Sequence, residues 1–433
     1  MKKINRLLVP SLLAFTLCGM LSCGVDRWSE YAAETAFDEW MTQTLRENYL
    51  WYTEVPADKS LNFFTRPDAF LKTIVSKEDQ ISFIDTLRKE PLPSYGFSYT
   101  LYRVADNDTA YNALITNVLP DSPAEAAGLK RGEWMMQVNH KVITKQNEPL
   151  LLESGKALLL QLGMYTTQKD PETDASIGIV IKSRTADLEA RRVVEENPVN
   201  DYRVITASNG LKVGYLVYNR FIAGTAAEPQ KYNDRLRTIS REMATAGVTR
   251  FILDLRNNTG GSLECAQLLC SLLAPAEALG TPLGSLVYND KQTEKNRDLL
   301  FDPKLIGTGV NLNIELGMII TSGTTSGISG SLYAWLAPLN KWGLVGAPLT
   351  CHGVATETFI NPEKTWAFNP VVCTVLNSQK ESYRGKSFKP HKSVNEQSDL
   401  HTFLPYGDEK EALLSVALGL IDGRLTPDTK TNN

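Results

Sequence analysis

The sequence predicts an α/β protein built on a largely parallel sheet, and three observations carry that prediction. Over residues 205–424, strand-like apolar runs alternate with helix-like ones, the pattern of a sheet with helices on its faces. One run, Phe251-Ile252-Leu253-Asp254-Leu255, is almost continuously apolar, as a strand covered on both faces must be. Two strand ends open into turns rich in glycine and hydroxyl side chains, residues 257–261 and 322–330, where sheets of this class place their sites.

Composition supports a folded, water-soluble chain of two or three domains: 433 residues, 42% apolar and 22% charged. Forty-five basic against 49 acidic residues leave −4, so no basic excess points to nucleic acid. The first 22 residues stand apart. Lys2, Lys3 and Arg6 precede an apolar run from Leu7 to Leu21, too short for a stable span, which is the layout of a signal peptide. Met20-Leu21-Ser22-Cys23 resembles a bacterial lipobox, which predicts lipid on Cys23 and a membrane-anchored protein of the cell envelope, on its periplasmic or outer-membrane face; ordinary secretion is the alternative. Removal of the leader takes the net charge to −7. Cys265, Cys270, Cys351 and Cys373 show no metal-ligand spacing and read as buried thiols, so no metal is expected.

Residues 23–88 read as a helical domain, with Trp28, Tyr31, Ala32, Thr35, Ala36 and Trp40 on one helix face and an aromatic run Tyr49-Leu50-Trp51-Tyr52 after it. Residues 89–200 form a second unit. Ala113 to Val118 is a strand; Ser122-Pro123-Ala124-Glu125 opens a short helix through a capping box, and Gly128 ends it. Trp134 to Val138 is a strand, 149–162 a leucine-rich helix, Ile177 to Ile181 a closing strand and 184–201 a linker. Residues 201–425 make the core: strands at 213–218, 251–255 and 316–321, helices at 229–246, through Leu273 and through Leu336, with 426–433 a tail.

Gly260-Gly261 at a helix start suits an oxyanion hole, because exposed N–H groups there favour negative charge; a plain tight turn is the competing reading. The hydroxyls of residues 321–331 are either helix caps or a nucleophile, and spacing among His140, His352, His391 and His401 selects no Ser-His-Asp set.

The chain resembles the C-terminal processing, or tail-specific, serine proteases, in the form common in exported lipoproteins of Bacteroidetes-type bacteria. The resemblance covers most of residues 28–424. Its carriers are Tyr49-Leu50-Trp51-Tyr52, Tyr95-Gly96-Phe97-Ser98, Val118 to Glu133 (similar to a PDZ domain), Leu253-Asp254-Leu255-Arg256-Asn257-Asn258-Thr259-Gly260-Gly261, Trp366 to Val372 and Gly407-Asp408. It implies a crotonase-like (ClpP-like) spiral core, an inserted PDZ-like domain, a small helical N-terminal domain and cleavage of polypeptides near their C-termini by a cofactor-free Ser-Lys dyad. Gly260, Gly261 and the Ile328 N–H would form the oxyanion hole; Tyr95, Gly96 and Phe97 would hold a peptide carboxylate.

Residue by residue, the dyad does not carry over. The family's Thr-Ala-Ser-Ala-Ser-Glu falls on Thr325-Ser326-Gly327-Ile328-Ser329-Gly330, so Gly327 stands at the nucleophile and Gly330 at the glutamate. The base lysine falls on His352, and a glutamine that often follows it falls on Thr356. Ser326 or Ser329, with His352 as base, are the available substitutes; Cys351 is a weaker one. The expectation is a peptide-binding lipoprotein with little or no hydrolysis. An active serine endopeptidase with a rearranged site and a purely structural subunit are the alternatives.

Overall fold

The computed structural model describes residues 28–428 apart from 88–90, 106–108, 172, 324–326 and 340, with side chains from Thr35 onward. The signal segment, Cys23 and Ser326 lie outside the described residues. Contacts divide the chain into two compact units: residues up to Leu87 with Asn289–Gln292 and Thr356–Val372, and the remainder.

In the first unit, helix Trp28–Asn48 buries Met41 and Leu45, Tyr49 is buried just past its end, and Pro67–Ile74 forms a second helix with proline at its first turn. The all-helical expectation is corrected here. Phe83–Thr86 is a strand, antiparallel to Trp366–Asn369, which also pairs with Phe359–Ile360. The aromatic run is anchored at its start: the Tyr49 hydroxyl donates to Asp79 at 2.7 Å and accepts from the Ser76 N–H at 3.0 Å.

The second unit contains two six-stranded sheets. The central one runs in the order Lys392–Ser393, Trp342–Gly346, Leu316–Thr321, Arg250–Asp254, Lys212–Tyr218, Val199–Thr206, parallel throughout except for the last pair. Helix Ala412–Ile421 packs on one face with Ile252, Ile320 and Val345; on the other, Leu216 and Phe251 meet Leu236 and Met243 of helix Lys231–Thr245 and Leu269 of helix Leu263–Leu273. The strands Arg250–Asp254 and Leu316–Thr321 end side by side, Asp254 opposite Ile320, which brings the two glycine-rich turns to the same edge of the sheet.

The other sheet is antiparallel: Phe97–Arg103, Ala110–Val118, Lys141–Thr144, Trp134–Val138, Leu158–Lys169, Ser176–Leu188. Helix Pro123–Ala126 is capped by Ser122 Oγ, which accepts the Glu125 N–H at 3.1 Å; the Glu125 carboxylate accepts from the Asp121 N–H, one residue ahead of the cap. Gly128 closes it at φ +69°. Two expectations are corrected. The helix at 149–162 is only Glu148–Leu152; after Gly155 the chain is a strand. Leu158, Leu160 and Leu162 are buried and alternate with less buried residues, so a spacing of two underlies what looked like a helical leucine cluster. The linker at 184–201 is strand at both ends, where Ala186 and Leu188 alternate inward with polar neighbours outward and Val199–Thr206 begins; residues 189–198 between them belong to no named strand.

Candidate active site

The Arg250–Asp254 strand delivers Leu255 and Arg256 into the turn 257–261. Gly260 and Gly261 sit at φ +98° and +131°. A Cβ on Gly261 would lie 2.2 Å from the Phe221 carbonyl oxygen, so only glycine fits there. Asn258, fully buried, pins the turn. Its Oδ1 accepts from the Gly260 N–H at 2.9 Å and from Ser329 Oγ at 3.0 Å, and its Nδ2 donates to the Tyr218 carbonyl at 2.9 Å. The Gly260 N–H is thereby consumed. Among the described residues, the N–H groups of Gly261 and Ile328 donate to no acceptor.

Gly327 precedes helix Ile328–Leu336 at φ +67°, ψ −129°. This is a strand-to-helix turn, the setting in which elbow-type sites expose a nucleophile. A Cβ built on Gly327 would stand 3.7 Å from Gly260 Cα and, among the described residues, meet nothing else within 4 Å. Gly327 and the 257–261 turn are therefore neighbours, with no side chain at position 327 between them.

Ser329 does not substitute for it. Its hydroxyl is wholly buried and committed to Asn258. Cys351 is also buried, and burial pushes its thiol up to about 12, which leaves no thiolate at neutral pH. Its sulfur fills the space a side chain at Gly330 would need: a Cβ there would be 2.6 Å from Cys351 Sγ. His352, half-buried, has its pKa lowered by burial and forms no hydrogen bond among the described residues.

A buried charge network behind the turn was invisible in the sequence. The Arg256 guanidinium contacts Asp254 at 2.7 Å, Glu411 at 2.7 Å and Glu396 at 2.7 Å. The same Glu396 oxygen contacts Arg131 at 2.6 Å, and the Arg131 guanidinium lies 3.7 Å from the Phe403 ring centre. Tyr215 donates to Asp254 at 2.8 Å. Burial opposes charge on Arg256, but Asp254 and Glu411 beside it hold it firmly protonated. Burial likewise opposes ionisation of Glu411, yet Arg256 and Arg131 hold its carboxyl below the usual range. Glu396 also borders a polar cleft of about 420 Å³ with Thr116, Asn257, Ser322 and Gly323. Among the described residues, no three His, Cys, Asp or Glu side chains are grouped so as to hold a metal ion.

In the antiparallel sheet, Phe97–Arg103 is an edge strand. Gly96 sits at φ +80°, where a Cβ would strike Ser122 at 2.1 Å. Its N–H donates to Ser94 Oγ at 2.9 Å. Tyr95 is buried, its hydroxyl donating to the Lys156 carbonyl at 2.5 Å, and Phe97 packs on the core beside it. The Tyr99 hydroxyl donates to Glu148, joining the edge strand to helix Glu148–Leu152.

Fold and turn together describe a peptidase-type framework: parallel strands, a glycine-pinned turn with free N–H groups and a helix start beside it. The family models agree. Residues 36–99 match the peptidase S41 N-terminal domain and residues 212–392 match peptidase family S41. A crystal structure of an S41-family protein from Bacteroides fragilis superposes with a TM-score of 0.83 at 44% identity, covering 89% of this chain and 97% of that one. The chain belongs to peptidase family S41. It is also 29% identical over 164 residues to a carboxyl-terminal-processing protease of Picosynechococcus, covering 37% of this chain and 34% of that protein. With a CtpA-like serine protease of Staphylococcus epidermidis it shares 28% over 160 residues, covering 36% of this chain and 27% of that protein. The chain thus matches about a third or less of the length of these curated relatives.

Proposed function

We propose that this chain is a non-hydrolytic S41-family protein that binds polypeptide C-termini or unfolded protein, exported by residues 1–22 and held to the membrane through lipid on Cys23. The observation that carries the loss of hydrolysis is Gly327: a position beside Gly260 with no side chain of its own and, among the described residues, no nucleophile reaching into it. Removal of a catalytic serine of this kind costs a rate factor on the order of 10⁶. On this reading residues 89–200 are a PDZ-like domain, residues 201–425 a crotonase-like core, and a peptide adds as a strand to the unpaired edge Phe97–Arg103 with its carboxylate at Tyr95-Gly96-Phe97. The family relation supports a polypeptide ligand, and relatives named as CtpA-like and as periplasmic endoprotease support export.

The test is turnover of a C-terminally labelled unfolded protein by the purified mature chain, together with labelling by a fluorophosphonate. No cleavage and no labelled serine is the expected result; labelling of Ser326, lost on Ser326→Ala, overturns it. Cys23→Ala should release the protein from membranes or block processing. One contact favours a second reading, a structural subunit: the Tyr99–Glu148 hydrogen bond spans the strand and helix between which a peptide would lie. Calorimetry against peptides with free and amidated C-termini separates the two, since amidation removes the carboxylate charge. Preference for the free form supports binding; no affinity for any peptide of a C-terminal library supports the structural role.

A further inference from the structure

The edge strand Phe97–Arg103 packs Phe97, Tyr99 and Leu101 against the core of its sheet, and Tyr95 joins the same core just before the strand begins. The rings form a ladder. Tyr95 and Phe97 lie 6.0 Å apart between centres, Phe97 and Tyr99 5.9 Å. Every second residue of an extended peptide advances by about 6.8 Å, so the rungs suit its alternate side chains. The two ends of the ladder differ in charge. At Tyr95 the Arg191 guanidinium lies 5.0 Å from the ring centre and donates to the Leu152 carbonyl at 3.3 Å. At Tyr99 the hydroxyl donates to Glu148 Oε1; among the described residues the other oxygen of this half-buried carboxylate has no partner, and no lysine or arginine pairs with it. Burial holds the proton on Tyr99. Glu148 and Glu153 add to that and Arg191 opposes it, so these are the charged groups felt at the outer rung.

We infer that this groove selects C-termini with lysine or arginine at the third residue from the end, and that Glu148 is the residue that selects it. The inference rests on the peptide-binding reading above. A peptide added antiparallel to Phe97–Arg103 has its C-terminus at the Phe97 end, and residues directly opposite in such a pair share a face. With the carboxylate at Tyr95-Gly96-Phe97, beside Arg191, the last side chain lies against Phe97 and the third from the end against Tyr99. The penultimate one points away. A cation at the third position meets the Tyr99 ring and the unpartnered oxygen of Glu148, a charge-assisted contact in a half-buried place. The Tyr99–Glu148 hydrogen bond is kept, since it uses the other oxygen. Opposite charges at the two ends of the ladder then fix direction and register together: carboxylate to Arg191, cation to Glu148.

Calorimetry with the chain from residue 24 onward tests this, using decapeptides that end in Lys-Ala-Val, Ala-Lys-Val, Ala-Ala-Val or Glu-Ala-Val. Lys-Ala-Val should bind about tenfold more tightly than Glu-Ala-Val, and the advantage should shrink as salt screens the pair. Ala-Lys-Val carries the same net charge as Lys-Ala-Val, but its lysine points away. It should gain nothing over Ala-Ala-Val, which separates a subsite from general attraction to an acidic chain. Glu148→Gln should bring Lys-Ala-Val and Ala-Lys-Val level, and Glu148→Lys should reverse the order of Lys-Ala-Val and Glu-Ala-Val. Equal affinity for Lys-Ala-Val and Ala-Lys-Val, or a preference that survives Glu148→Gln, overturns the inference; tighter binding of free than of amidated C-termini in the same titrations would leave the peptide-binding reading standing. No affinity for any C-terminal peptide overturns both.

Discussion

Two turns meet at the candidate site, and they have fared differently. The 257–261 turn keeps its backbone machinery: glycines at positive φ, an asparagine pin and an N–H left without an acceptor. On the proposed reading, the segment around Gly327, Gly330 and His352 lacks the side chains that the resemblance leads one to expect there. The physical reason is visible in the neighbours. At Gly261 a single Cβ collides with the Phe221 carbonyl, so the fold itself demands glycine. At Gly327, among the described residues, a Cβ would meet only the Gly260 Cα at 3.7 Å. Features that the fold needs persist without chemistry; features that only the chemistry needs do not.

That contrast breaks most sharply at the buried charges behind the first turn. Arg256→Met leaves Asp254 and Glu411 buried without their guanidinium and should destabilise the protein by about 3–5 kcal/mol, read by denaturant unfolding. The same network sets an acid limb. The folded carboxyl of Glu411 lies below its unfolded value of 4.5, so its contribution is present above that pH and is lost as pH falls through the folded value. Glu411→Gln should flatten stability against pH in that acid window.

Gly261→Ala comes next, at about 3 kcal/mol, because the turn must open to clear Phe221; a melting curve checks it. Gly327→Ser sharpens the comparison from the other side. The site has space, so the cost is only the positive φ, about 1–3 kcal/mol, and Gly327→Ser with His352→Lys should restore weak hydrolysis. Each correctly placed oxyanion donor contributes ~3 kcal/mol to such a reaction, so even a poorly held lysine should give a measurable rate with a C-terminally labelled substrate. Ser329→Ala has the smallest effect. It removes one hydrogen bond to Asn258, about 1 kcal/mol, and leaves fluorophosphonate reactivity unchanged.

What could be read from the sequence follows from how local each signal is. Gly260-Gly261 after an apolar strand, and Ser122 to Gly128, are adjacent residues whose chemistry states their backbone geometry. The leucines at 158–162 satisfy helical and strand spacing together, and only the sheet partner at Trp134–Val138 decides between them. Arg256 meets Glu396 and Glu411 across 140 and 155 residues of chain, and Arg131 meets Glu396 across 265, so no pattern in one sequence connects them. The asparagine pin was in plain view within the glycine turn; its hydrogen bond to Ser329 was not, and that bond is what removes Ser329 from the list of nucleophiles.

The sulfur of Cys351, lodged where a side chain at position 330 would go, acts as a ratchet. Restoring the motif's glutamate alone, by Gly330→Glu, drives carbon into sulfur. Shrinking Cys351 alone opens a void beside a glycine. Each single step is uphill, so the two positions form one unit of change. A mutagenesis campaign that walks the site one residue at a time will report both as intolerant, and even with residue 351 as glycine a Cβ at position 330 would stand 3.1 Å from its Cα.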